Sequence, residues 1–273
     1  VLGISLTFAL GLLPLSYFRD GRLVLGGDPG GYFLDSPFQI HNLFFVWVTS
    51  NANGLGWYGM GYPSNIASAL FHIFFEHVGV PLFLTQALFA SFLYISAGLS
   101  MYLLAISLFG KDATLTATLA SVFYMLNPYY MVFVSGGLDP FAQAAYVLYP
   151  LNFALFIRGL KSKEHAKNAF IFVIVPFLFM LGYTAYPEDV LIAFTLFLYA
   201  VFYLTCVVDD NKKRLEASRF ILIATLVFLL LNFWWIAQLI NIYPMAVVIV
   251  PTHGIAPDPV SYTHLRAHET VLD

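Results

Sequence analysis

Residues 80–109 read VPLFLTQALFASFLYISAGLSMYLLAISLF, thirty residues without a single charge. A helix crossing the bilayer core needs about 20 mostly apolar residues, so this run is long enough to span and to tilt. It is apolar on every side and does not alternate, which disfavours a strand of a barrel. Uncharged runs at 1–18, 113–134, 140–157, 168–187, 190–208 and within 220–250 bring the candidate spans to seven. The third carries Asn127-Pro128 near its outer end, the fourth is expected to kink at Pro150, and the seventh is expected to end near Asn241. The expected fold class is therefore all-α: a polytopic helical membrane protein of about seven transmembrane helices, with the lipid bilayer as its first partner.

Composition agrees. The 273 residues are 60% hydrophobic and 10% charged, with a mean hydropathy of +0.81. Soluble domains carry about 25% charged residues, so a water-facing surface would be starved of charge. An ordinary cytosolic or secreted globule is excluded, and so is a disordered chain. Twelve basic and fifteen acidic residues leave a net charge of −3, which offers no attraction to nucleic acid. Cys206 is the one cysteine and cannot form an internal disulfide.

Basic residues orient the spans. Lys111 follows the second; Arg158, Lys161, Lys163 and Lys167 surround the end of the fourth; Lys212, Lys213, Arg214 and Arg219 follow the sixth. All nine fall on one side, against only Arg19 and Arg22 on the other, so the nine are expected in the cytoplasm and the N-terminus with them. The outer side is acidic instead: Asp20, Asp28, Asp35, Glu76, Asp139, Glu188, Asp189 and Asp258. That excess points to binding or chemistry on the outer face, or to simple hydration.

Both ends of the chain look non-native. Residues 260–270, VSYTHLRAHET, match one translated reading frame of a transposon-end sequencing adapter. Residues 260–273 are expected to be a scar, so that 1–259 form a truncated membrane domain, inactive alone, whose gene continues past Pro259. His264 and His268 are accordingly not metal-ligand candidates; the competing expectation is a native polar tail. Val1 opens inside an apolar run, without an initiating Met, a basic n-region or a small-residue cleavage site.

One loop is long, residues 19–79, and loops of this length are often functional. Asp35-Ser36-Pro37 supplies an N-cap and a first-turn proline ahead of FQIHNLFFVWV, a segment too polar to cross comfortably. Ser64 precedes NIASALFHIFFEHVG, with Ile66, Leu70, Ile73, Phe74 and Val78 as its apolar stripe. Both segments are expected as helices lying in the outer interface, anchored by Trp47, Trp57, Tyr58 and Tyr62. NANGLGWYGMGYP between them reads as a glycine-rich turn region.

This layout resembles that of GT-C membrane glycosyltransferases: a first span, a long outer loop with an early acid and two interfacial helices, then further spans. Several stretches are similar to the membrane region of bacterial alpha-(1→3)-arabinofuranosyltransferases. They are Asp28-Pro29-Gly30-Gly31-Tyr32, Tyr62-Pro63, Tyr124-Met125-Leu126-Asn127-Pro128 with Gly136-Gly137, and Asn232-Phe233-Trp234-Trp235. The resemblance runs over roughly residues 5–245. Gln238 stands where that family would have a proline, and Tyr186-Pro187-Glu188-Asp189 is more acidic than its usual turn, so donor and acceptor sugars stay open.

The resemblance implies an inverting transfer of a sugar from a polyprenyl-phosphate donor to a cell-envelope glycan acceptor, on the outer face and without a cofactor. A hydroxyl nucleophile needs a carboxylate to take its proton, and the leaving phosphate needs cations or N–H groups. Asp28 is the first candidate base; its Gly-Gly-Asp-Pro-Gly-Gly setting is equally good turn chemistry. Asp35 is second, with helix capping as its simpler role. Glu188 and Asp189 are candidate acceptor-binding residues, or merely acids at a helix N-terminus. Arg19 and Arg22 are candidate phosphate clamps, or snorkelling residues. Tyr58 and Tyr62 are candidates to stack on sugar rings, or interfacial anchors. His72 and His77 stand five apart on a helix and diverge, so no metal site is expected.

Two other classes compete: a transporter or lipid flippase, and a non-catalytic envelope-assembly protein. Transport lacks an internal repeat and a charge near the middle of any span. The non-catalytic reading leaves the long outer loop unexplained.

Overall fold

The computed structural model describes residues 2–18, 21, 23, 47–48, 57–58, 66–130, 140–180 and 187–252. Apart from one short strand pair, the regular structure there is helical, so the class is all-α. Each of the seven apolar runs contains a helix. They are α1 Leu2–Gly11, extended by a 3-10 turn at Leu13–Ser16, then α3 Leu82–Phe109, α4 Thr114–Met125, α5 Pro140–Lys161, α6 His165–Met180, α7 Pro187–Phe202 and α8 Asn211–Thr252. The helix of the outer loop, Ile66–His77, is α2. Two stretches, Leu82–Phe109 and Asn211–Phe233, are long and apolar enough to cross a membrane. Val1–Leu231 form one compact unit; Asn232–Asp273 form a second, whose described part is the continuation of α8.

The helix boundaries follow local chemistry. The end of α2 is a Schellman motif: Val80 N–H bonds the Phe75 carbonyl and Gly79 N–H the Glu76 carbonyl, both at 2.9 Å. Gly79 takes φ +85 there, which glycine adopts without steric cost. Asp210 caps α8 by accepting Lys212 N–H at 3.0 Å. A π-helical turn, Tyr203–Val207, extends α7. Arg214 reaches back to it, donating from Nε to the Leu204 carbonyl at 3.1 Å and from Nη2 to that of Val208 at 2.9 Å. A guanidinium at a helix C-terminus serves carbonyls that have no intrahelical donor.

Three boundaries differ from the sequence expectation. The third run is broken: α4 stops at Met125, because Pro128 has no N–H to give and disfavours helix at Asn127. Asn127 Oδ1 instead accepts Tyr129 N–H at 2.9 Å. The last helix passes Asn241 and runs to Thr252; the apolar run from Ile242 to Val250 continues its pattern. In the outer loop, Trp47–Val48 (β1) is not the end of a helix but pairs antiparallel with Trp57–Tyr58 (β2), Trp47 opposite Tyr58. Aromatic and β-branched residues around the glycine-rich stretch 49–56 suit strands better than helix.

Among the described residues, two larger apolar cores and two smaller clusters hold the first unit together. One joins α3, α4 and α5 through Leu93, Tyr94, Ala97, Met125, Tyr130 and Val147. The larger joins α5 to α8, with Phe156, Val173, Ile192, Leu196, Phe220 and Ala224 among its members. Small residues let helices approach closely. A Cβ on Gly98 of α3 would meet Met125 Sδ and lie 2.6 Å from Thr7 Cγ2; one on Gly159 of α5 would strike the Phe220 ring. Beside Gly98, Ser121 Oγ donates to the Gly98 carbonyl at 2.8 Å and lies 3.0 Å from Thr7 Oγ1. This polar chain pins α1 and α4 to α3. The outside is apolar: Phe123 is 82% exposed, Leu230 78% and Leu115 72%.

Candidate functional site

The helices sort the loops into two sets. Lys161, ending α5, reaches the Ser107 carbonyl near the end of α3 at 3.5 Å. Gly159 meets Phe220 near the start of α8, and Arg214 ties that start to the end of α7. The beginning of α1 lies at the same end, where Gly3 meets Thr118 just after the Lys111 turn. The loops with the nine basic residues thus gather at one end of the helices. Lys167 and Glu164 form an exposed ion pair there at 2.8 Å; a solvated pair of this kind adds little stability.

The opposite ends include the start of α7. Glu188 and Asp189 lie in the first turn of α7, where the helix dipole favours carboxylates. Tyr58 is in β2, opposite Trp47. Asp28, Asp35, Arg19, Arg22 and Tyr62 lie outside the described residues. Of the site candidates, Tyr58, Glu188 and Asp189 are among the described residues.

What the structure does show in the outer loop is how α2 docks. Ser68, Ala69 and His72 are buried, and Phe71 packs on Phe89 and Phe92 of α3, with ring centroids 5.1 and 6.0 Å apart. Leu70, Phe74 and Val78, three residues of the expected apolar stripe, point away and are 52%, 62% and 64% exposed. The stripe is therefore not the packed face: the docked side of α2 holds Ser68, Ala69 and His72 together with Phe71. Such a helix is inside out for water, but not for an apolar surrounding.

His72 was legible only as a weak metal candidate, and its geometry gives it another role. Its Nδ1–H donates to the Ser68 carbonyl at 2.7 Å, so Nε2 carries the lone pair in the neutral ring. His77 is exposed while His72 is buried, so the two diverge. Burial pulls the His72 pKa below its ordinary 6.5, outweighing the Ser68 bond and Glu76, which both raise it. Undocked, the ring binds a proton more readily than docked, so docking is complete above about pH 6.5 and weakens as pH falls below it. The expected result is a thermal midpoint that is flat from pH 7 to 8 and declines from about pH 6.5 downward. His72→Asn is expected to flatten that decline; an unchanged slope would mean that another group sets it.

A tyrosine cluster at the α3–α4–α5 contact also went unread in the sequence. Rings of Tyr94, Tyr130, Tyr146 and Tyr124 stack in succession, with centroids 5.3, 4.5 and 4.0 Å apart and planes within 16°. The sequence signal for two of its members is Tyr-x-x-x-Pro, at 124–128 and 146–150, which also occurs at 183–187. The chain matches no known family, no curated protein and no solved structure.

Proposed function

We propose that this chain is the multi-span membrane part of a glycosyltransferase of the GT-C type. It takes a sugar, arabinofuranose being the leading candidate, from a polyprenyl-phosphate donor and passes it with inversion to a cell-envelope glycan on the outer face. Asp28 is the general base, with Asp35 as the second candidate. Glu188, Asp189, Tyr58 and Tyr62 contribute to acceptor binding, and Arg19 and Arg22 to the donor phosphate. The order of the motifs at residues 28–32, 62–63, 124–128 and 232–235 supports the reading.

The observation that carries it is the gathering of the basic loops at one end of helices whose other ends adjoin the acidic segments. Positive charge is retained on the cytoplasmic side, which directs the acids of loop 19–79 and of the α7 start outward. A lipid-linked donor presents its sugar on that side. The apolar exterior, Phe123 and Leu115 included, supports contact with lipid along the helices.

Two measurements test the reading. In a Cys206→Ser background, Asp28→Cys is expected to react with a membrane-impermeant maleimide on intact cells, and Lys163→Cys only after permeabilisation. The reverse pattern would overturn the orientation. Vesicles holding the full-length gene product are expected to form a glycosidic bond from a synthetic polyprenyl-phosphate arabinofuranose. Movement of the lipid between leaflets with no new bond would replace the enzyme by a flippase.

A further inference from the structure

We propose that Tyr124 and Tyr146 form a reciprocal latch between α4 and α5, made necessary by Pro128, ahead of which α4 ends, and by Pro150 inside α5. In an α-helix the carbonyl of residue i accepts the N–H of residue i+4. Proline has no N–H, so Pro128 and Pro150 deprive the carbonyls of Tyr124 and Tyr146. Each of these carbonyls is served by the other residue's hydroxyl. Tyr124 Oη donates to the Tyr146 carbonyl at 2.7 Å, and Tyr146 Oη donates to the Tyr124 carbonyl at 2.8 Å.

The surroundings leave few other donors. The Tyr124 carbonyl has two weaker backbone contacts, from Asn127 N–H at a long 3.5 Å and from Leu126 N–H, which makes its main bond to the Val122 carbonyl at 2.9 Å. The carbonyl of Met125 is met by the Tyr94 hydroxyl. The two latch rings stack at 4.0 Å, and Tyr130 continues the stack at 4.5 Å from Tyr146. An apolar interior offers no water to a freed carbonyl, and a buried polar group without a partner is costly. Separating α4 from α5 strips both carbonyls at once, so the two bonds are kept or lost together. The contact has one favourable closed state and no half-open one. Both rings lie against the core of Leu93, Tyr94, Ala97, Met125, Tyr130 and Val147, so the latch fixes α4 to α5 within that core.

The latch does not rest on the glycosyltransferase reading, and its test needs no activity assay. The readout is the thermal midpoint of the purified full chain in lipid nanodiscs. Tyr124→Phe is expected to lower it by about 3–6 °C, the shift of one buried carbonyl left bare in a domain of this size. In a Pro150→Ala background the restored N–H serves the Tyr146 carbonyl, and the same Tyr124→Phe change is expected to cost less than half that shift. Tyr146→Phe keeps its full shift in that background, because its own acceptor is the Tyr124 carbonyl. Equal shifts from Tyr124→Phe in both backgrounds would overturn the proposal. Should Pro150→Ala fail to fold, Tyr124→Phe with Tyr146→Phe decides: a combined shift smaller than the sum supports the latch, and a full sum refutes it.

Discussion

Sugar transfer by the full-length protein is expected to fall about 10²–10⁴-fold on Asp28→Asn, the usual worth of a positioned general base. The substitution separates two roles that the sequence leaves together. Asn keeps the size and hydrogen-bonding shape of Asp and is equally at home in a turn next to Pro29 and Gly30. It cannot take a proton from an acceptor hydroxyl. A residue that only shapes the turn therefore tolerates the change, whereas a base does not. Transfer is read with labelled donor lipid, and insertion with the maleimide pattern of the outer loop. Asp35→Asn tests the second candidate in the same way, since Asn caps a helix as well as Asp does and only the charge is lost. If Asp28→Asn retains full transfer with normal insertion, the carboxylate at 28 is a turn residue and the base lies elsewhere.

The largest structural effect is expected at Gly98. Gly98→Leu places a branched side chain where a single Cβ already meets Met125 Sδ and the stiff Thr7 side chain. Met125 can swing aside, but a β-branched Thr in a helix has little rotamer freedom. Pushing the helices apart also breaks the Ser121 bond to the Gly98 carbonyl and the Ser121–Thr7 contact. Overpacking costs about 1–3 kcal/mol and a buried polar group left bare about 1–3 more. Against a total stability of about 5–15 kcal/mol, that is enough to deplete folded protein. The check is the yield of monodisperse protein and its thermal midpoint, with Leu108→Phe on the exposed face of the same helix as the control. A Gly98→Leu protein as stable as the parent would show that α1 and α4 do not meet α3 at this glycine.

Much of the helical layout was legible because its signal is local. An uncharged run has no cheap way to satisfy its backbone in an apolar medium except as helix. Each of the seven runs accordingly holds one, and Gly79 and Asp210 mark boundaries that their side-chain chemistry predicts. The grouping of the basic loops was legible for the same reason, since charge is kept off the apolar runs; of the acids, Asp20, Asp28, Asp35, Asp139 and Asp258 lie outside the described residues. The docked face of α2 was not legible. The moment of its sequence points toward Leu70, Phe74 and Val78, and the usual inference that apolar means inward reverses when the surroundings are as apolar as the core. The site candidates were read from motif order, and most of them lie where the structure adds nothing to that reading.

The tyrosine pair marks the boundary between the two kinds of knowledge. Pro128 and Pro150 are visible in the sequence, as is the carbonyl that each must leave without its helical partner. Which donor comes to that carbonyl is a matter of two helices crossing at one height, and no local pattern specifies it. The sequence by itself determined an all-helical chain with apolar runs and charge sorted to alternate loops, because backbone satisfaction and charge solvation act residue by residue. Only the tertiary structure decided which faces meet, where glycines bring helices into contact and which hydroxyls serve the carbonyls that Pro128 and Pro150 leave without a helical donor, because those depend on distances between segments far apart in the chain.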